Sequence, residues 1–173
     1  MSGTACELEL VVESEEGLAA ALDDAQMHDL ARATLAARGV GRPCSLSVSI
    51  VGDERIRELN RAWRGVDRAT DVISVECERP DDPDLGEGEV CELGDVVLAP
   101  RFLARQAAAM GSTEADEWRL MLVHGVLHLL GMDHLEEADA HAMRAAEEAV
   151  LASVPTDGTL TDVVLTRHRE EEA

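Results

Sequence analysis

Lysine and tyrosine are absent from this chain, and its only aromatic residues besides histidine are Trp63, Trp118 and Phe102. The core must therefore be built from Leu, Val, Ala, Ile and Met, and a base-stacking platform has few candidates. No apolar run exceeds a few residues, which excludes a bilayer-spanning helix. Cys6, Cys44, Cys77 and Cys91 form no Cys-x-x-Cys pair and read as free, mostly buried thiols rather than as a zinc-thiolate set. Positive charge is also scarce: 15 bases, all arginine, face 36 acids, for a net charge of −21. A protein that coats nucleic acid by general electrostatics is basic, so a broad nucleic-acid-binding surface is excluded. A local arginine cluster in a groove is not. The acidic excess reads as a solvated surface, and adaptation to a salty cytoplasm is a second reading of the same charge. Near the N-terminus, Glu7, Glu9 and Glu13 stand where a secretory signal needs positive charge and then a long apolar stretch. The expectation is a cytoplasmic protein.

The 173 residues, 46% of them apolar and 29% charged, suit one domain with a single core. Alternation predicts strands over 6–12, 46–51, 71–77 and 95–99, the second punctuated by Gly52 and Asp53. Helical spacing predicts helices over 17–38, 53–63, 101–110, 113–130 and 136–152. Asp53 is the expected N-cap of the second helix, and Thr113-x-x-Asp116 resembles a capping box for the fourth. Residues 78–92 are rich in acids, prolines and glycines and read as a mobile exposed loop. The expected architecture is a single α+β domain with a mixed four-stranded sheet and about five helices. Residues 1–155 are expected to form that domain and 156–173 a loosely ordered tail.

Chemistry concentrates between His124 and His134, which read His-Gly-Val-Leu-His-Leu-Leu-Gly-Met-Asp-His. His124 and His128, four apart on a helix, project from nearly the same face. Gly131 lets the chain leave the helix with positive φ and turn back, bringing His134 to the same point. Three neutral imidazoles with an open fourth position define a zinc site of catalytic type, because structural zinc sites are normally closed by four protein ligands. Nickel, copper and iron suit the same ligands. His28 and His168 are isolated, and His141 reads as a solvated helix position. The spacing His-x-x-x-His-x-x-Gly-x-x-His is also that of the metzincin proteases, in which glutamate follows the first histidine as general base. Here Gly125 holds that place, so a peptidase would lack its base.

These residues resemble the YbeY-type endoribonucleases, whose signature His-Gly-x-Leu-His-Leu-x-Gly-x-Asp-His is matched at every fixed position by 124–134. A second motif of that family, Asn-x-x-(Tyr/Trp)-Arg-x-x-Asp-x-x-Thr-Asp-Val-(Leu/Ile)-Ser, is present from Asn60 to Ser74, and a third as Leu93-Gly94-Asp95-Val96-Val97-Leu98. The chain departs from the pattern at Val75, usually phenylalanine, and Met132, often tyrosine; neither change removes a ligand or a charge. The resemblance implies a zinc-dependent, single-strand-specific endoribonuclease acting on ribosomal RNA, in 16S 3′-end maturation and ribosome quality control. It further implies a ribosome or ribosomal subunit as partner, with no membrane and no DNA. Its zinc ligands would be His124, His128 and His134. Arg64 matches the family's functionally important arginine and is the expected catalytic residue, gripping phosphate oxygens and stabilising transition-state charge. Arg61 and Arg68 are the expected substrate-binding residues, within the only notably basic stretch, 55–68; Arg101 and Arg105 offer a second edge. Read as residues alone, Arg64 equally suits a salt bridge to Asp67 or Asp71. Thr70, Asp71 and Ser74 suit capping of the loop, and Asp133 suits either orienting an imidazole or closing its turn. Gly94-Asp95 is expected to shape the approach to the site. Two alternatives of other classes are a ribosome-assembly or RNA-binding factor with a structural metal, and a metallohydrolase of other substrates.

Overall fold

A computed structural model describes residues 6–156; the expected C-terminal tail lies outside the described residues apart from Thr156, and so does His168. Four strands, β1 (Leu8–Ser14), β2 (Cys44–Ile50), β3 (Val72–Glu76) and β4 (Cys91–Leu98), form one sheet in the order β1-β2-β4-β3. β1 and β2 are parallel, β2 and β4 are parallel, and β3 runs antiparallel to β4 as an edge strand. The helices are α1 (Asp24–Ala37), α2 (Asp53–Arg64), α3 (Pro100–Met110), α4 (Glu114–Leu129) and α5 (Glu137–Ala152). Among the described residues this is the expected single-domain α+β fold, with a mixed four-stranded sheet and five helices. Among the described residues, no helix is long and apolar enough to cross a membrane.

α4 occupies the middle of the molecule. Every residue from Asp116 to Leu127 is buried, as expected of a helix enclosed on all sides rather than on one stripe. Thr113 caps it, its hydroxyl accepting from the Asp116 backbone N–H at 3.1 Å. The helix ends in a left-handed turn at Gly131, φ 92°. Its buried side chains join those of β2, β4, α1 and α5 in the main core, while Val51, Ile56, Ile73, Val97 and Ala99 form a second cluster under α2 on the other face of the sheet.

Several boundaries move from expectation, among them β1, from 6–12 to Leu8–Ser14, and the start of β2, from residue 46 to Cys44. α1 begins at Asp24 rather than near residue 17, because Asp23 and Gln26 form a reciprocal capping box, at 2.7 and 2.9 Å, that fixes the start there. α2 is capped by Gly52; Asp53 enters the first turn, where its carboxylate accepts from Arg105 at 2.6 Å. β4 starts four residues early, at Cys91, because Cys91 and Leu93 are both buried and the Cys91 N–H donates to the Pro43 carbonyl at 2.9 Å. The acidic connection between β3 and β4 is irregular but tied down, with Arg42 donating to the Gly86 and Glu89 carbonyls at 3.1 and 2.9 Å. Cys6, Cys44 and Cys91 are buried free thiols. Burial pushes the Cys91 thiol up to about 11, the condition of an unreactive cysteine.

Asp95 does not shape the approach to the histidines. Val96 faces α4, so its neighbour Asp95 points to the opposite face of the sheet, where Ser49 donates to its two carboxylate oxygens at 3.1 and 3.0 Å. Burial raises its carboxyl above the ordinary value, the Ser49 hydroxyl opposes that, and Glu13 adds to it. A carboxyl raised on folding contributes stability below the unfolded-state value and loses it as pH rises through the folded-state value. Asp95→Asn is therefore expected to raise Tm at neutral pH, with the gain vanishing as pH falls through the carboxylate range. Melting curves across that range check it.

Candidate metal centre

His124 and His128 leave the same face of α4, and the Gly131 turn returns His134 beside them. Their ring centroids are 4.5, 5.5 and 5.3 Å apart, and one nitrogen from each lies within 4.8 Å of the others. His124 Nε2 and His128 Nε2 approach to 3.0 Å. Nitrogens sharing a tetrahedral zinc at ordinary bond lengths stand about 3.3 Å apart, so the His124–His128 spacing is already close to what such an ion needs, with a His134 nitrogen no more than 4.8 Å away. A three-histidine cluster that can bind a metal ion is thus built from one helix and its C-terminal turn.

The carboxylate that orients this cluster is Glu147 of α5, not Asp133. His124 Nδ1 and Glu147 Oε1 are 2.8 Å apart, and the two side chains are 3% and 2% exposed. With Nδ1–H donating to the carboxylate, the Nε2 lone pair faces the other two imidazoles, which is the tautomer a metal requires. Asp133 closes the turn instead, accepting from the Leu135 N–H at 3.3 Å. Sequence reading missed Glu147, although a signal existed. It stands on the buried stripe of α5 with Met143, Val150 and Leu151, where a charged residue requires a partner. Glu147→Gln is expected to weaken metal affinity by about 10–100-fold with the helices intact, measured by competition against a chelator and by circular dichroism.

Gly125 is closed to any side chain. A Cβ there would lie 2.7 Å from Val96 Cγ1 and 3.3 Å from Ser74 Oγ, so α4 rests directly on the sheet where a protease would carry its glutamate. Ser74 fastens the contact by donating to the Gly125 carbonyl at 2.9 Å.

A cleft of about 390 Å3 opens beside the cluster, lined by Arg64, Ser74, Glu76, His128 and His134. His124 sits behind, buried. Arg64 reaches the cleft from the last residue of α2 and donates through Nη2 to the Val72 carbonyl of β3 at 3.3 Å. It makes neither of the salt bridges that residue type suggests. Asp67 is held by Arg57 at 2.9 and 3.2 Å, which keeps its carboxyl below the ordinary value. Asp71 is buried and starts β3, accepting from the Val72 N–H at 2.8 Å, from Thr70 at 3.2 Å and from Gln106 at 3.2 Å. Asn60 spans the connection after α2 by donating to the Arg68 carbonyl at 2.9 Å. Much of the Asn60–Ser74 motif is thus scaffold that aims Arg64.

The remaining arginines separate by partner. Arg55 pairs with Glu58 at 3.2 Å, Arg57 with Asp67, and Arg105 with Asp53. Arg61 and Arg68 are exposed, form no ion pair among the described residues, and stand outside the cleft lining. His141 is exposed on α5, and His28 bonds the Leu8 carbonyl at 2.8 Å.

An α+β domain in which three convergent imidazoles could hold one metal ion, beside a cleft that an arginine also lines, has the framework of a hydrolase. The sequence model of the family described as Endoribonuclease YbeY matches residues 12–155. The chain is 46% identical to the Endoribonuclease YbeY of Halorhodospira halophila over 114 residues, 66% of this chain and 73% of that one. It is 41% identical to that of Moorella thermoacetica over 131 residues, 74% and 84% of the two chains. The solution structure of TM1509 from Thermotoga maritima shares the fold, with TM-score 0.55, 20% identity, and coverage of 94% of this chain and 93% of that one. The chain belongs to the YbeY endoribonuclease family.

Proposed function

We propose that this protein is a zinc-dependent endoribonuclease that cuts single-stranded ribosomal RNA in the cytoplasm, in 16S 3′-end maturation and ribosome quality control, on a ribosomal particle. The observation that carries the reading is the joint presence of Arg64 and two of the three histidines on one open cleft. When bound, zinc supplies a Lewis acid that polarises a phosphoryl oxygen and lowers the pKa of coordinated water. His124, His128 and His134 hold it, with Glu147 fixing the His124 tautomer. Arg64 grips two non-bridging phosphate oxygens with its planar fork and offsets the negative charge they gain during cleavage. Its hydrogen bond to Val72 fixes the guanidinium before substrate arrives.

Arg61 and Arg68 bind flanking phosphates outside the cleft. Trp63, 64% exposed on the same turn of α2 as Arg64, offers a face on which an unpaired base can stack. Stacking of that kind requires a strand free of duplex pairing, which favours single-stranded substrate. With this chain's acidic surface, the basic patch around Arg64 also sets where and in which direction RNA approaches.

The test is cleavage of end-labelled single-stranded ribosomal RNA, the same RNA in duplex, and DNA of the same sequence, before and after metal removal. The reading predicts cleavage of the single-stranded RNA alone, lost on chelation and restored by zinc. Zinc-loaded protein that cuts none of the three contradicts it.

A further inference from the structure

The cleft contains a carboxylate that neither the metal cluster nor Arg64 uses. Glu76, the last residue of β3, lies on the same strand face as Ser74, and that face looks at α4 because Ser74 bonds the Gly125 carbonyl. Glu76 lines the cleft with His128 and His134, yet it does not join the group of ligand atoms lying within 4.8 Å of one another. It therefore faces the metal centre without being one of its ligands. Arg79, at the start of the acidic connection, forms an ion pair with it. The Arg79 guanidinium also lies over Gly131: a Cβ at 131 would come within 2.8 Å of Nη1. The glycine that turns the chain toward His134 thus also makes room for the arginine that holds Glu76. Hydrolysis needs a proton acceptor near the attacking oxygen, and Gly125 cannot provide it.

We propose that Glu76 is the proton acceptor of RNA cleavage and Arg79 its positioning residue, a proposal that rests on the endoribonuclease reading of this cleft. As the oxygen of an attacking water forms its bond to phosphorus, one of that water's protons passes to a Glu76 carboxylate oxygen. The bond from phosphorus to the leaving ribose oxygen breaks. The leaving oxygen takes a proton from solvent, and Glu76 returns its own to solvent. Arg79 aims the carboxylate and offsets its repulsion of the incoming phosphate.

The experiment compares zinc-loaded wild type with Glu76→Gln, Glu76→Asp, Arg79→Ala and the Glu76→Gln/Arg79→Ala double variant. Rates at saturating single-stranded RNA are measured beside zinc content, RNA affinity and Tm. Glu76→Gln is expected to lower kcat by about 10²–10⁴-fold with zinc content and RNA affinity unchanged, and Glu76→Asp to recover part of the rate. Arg79→Ala should lower kcat less and add nothing to Glu76→Gln, as coupled residues do. Glu76→Gln cleaving within about twofold of wild type would overturn the proposal, as would a loss of zinc in step with the loss of rate, which makes Glu76 a metal-holding residue. If zinc-loaded wild type itself cuts no RNA, the endoribonuclease reading fails and takes this proposal with it. That failure is distinct because it appears without any substitution.

Discussion

Truncating His128 to alanine is expected to abolish RNA cleavage and to remove the metal, while leaving the fold standing. The reason lies in where the three imidazoles sit. His124 is buried behind the cleft and bonded to Glu147, so its loss would remove a hydrogen bond from a buried carboxylate and would confound function with stability. His128 is half-buried at the open end of α4 and lines the cleft, and its ring contacts are with the other two histidines. Removing it deletes one of three ligands and little packing. The loss of zinc affinity should exceed the roughly 10–100-fold expected for the supporting carboxylate Glu147, since a ligand is removed rather than reoriented. Zinc content after dialysis, circular dichroism and cleavage rate, measured on one preparation, check the three parts. A purely structural metal would give another pattern: a large fall in Tm and in helical signal on the same substitution.

Arg64→Ala carries the second large effect, in the opposite combination. Cleavage should fall by about 10²–10³-fold, the cost of removing one preorganised donor from a transition-state oxygen, with zinc content at the wild-type level. Among the described residues the guanidinium bonds a carbonyl on the outer side of the edge strand and joins no ion pair, so its removal breaks no buried pair there. Arg64→Lys should restore little of the rate, because an ammonium cannot reproduce the two-oxygen grip of a planar fork. Single-turnover kinetics at saturating RNA separate this loss in the chemical step from a loss of binding. The His128 and Arg64 variants thus act on different quantities, metal occupancy and chemistry, and a contaminating nuclease would respond to neither.

How much of this was legible in the sequence depends on how far apart the interacting residues lie. The histidine triad is confined to eleven residues, and helix geometry with one glycine turn is enough to assemble it. The strand order, and with it the position of Arg64 across the edge of β3, follows from pairing among β2, β4 and β3, which local alternation does not encode. Glu147 contacts His124 across a separation of 23 residues, and only its place on the apolar stripe of α5 hints at a buried role. Glu76 falls within the expected third strand, where nothing in the sequence marks it; its meaning depends on the face of β3 it occupies and on Arg79 reaching Gly131. Gly125 shows the same division. The sequence states that a base is missing there, and the structure supplies the cause, a helix resting so close to Val96 that no side chain fits. The arginines illustrate it again: Arg55 and Glu58 are an i,i+3 pair within α2, but only tertiary structure shows which acids neutralise Arg57 and Arg105 and which guanidinium groups remain for a phosphate chain.

The central claim is that the three-histidine centre and Arg64 act together on one phosphodiester. Its most direct test is cleavage of a labelled single-stranded ribosomal RNA fragment by zinc-loaded wild type, Arg64→Ala and His128→Ala, purified identically and assayed side by side with their zinc content. The account predicts cleavage by wild type, loss in both variants, and full zinc occupancy in Arg64→Ala alone of the two. Equal cleavage by all three, or zinc-loaded wild type that leaves the RNA intact, would contradict it.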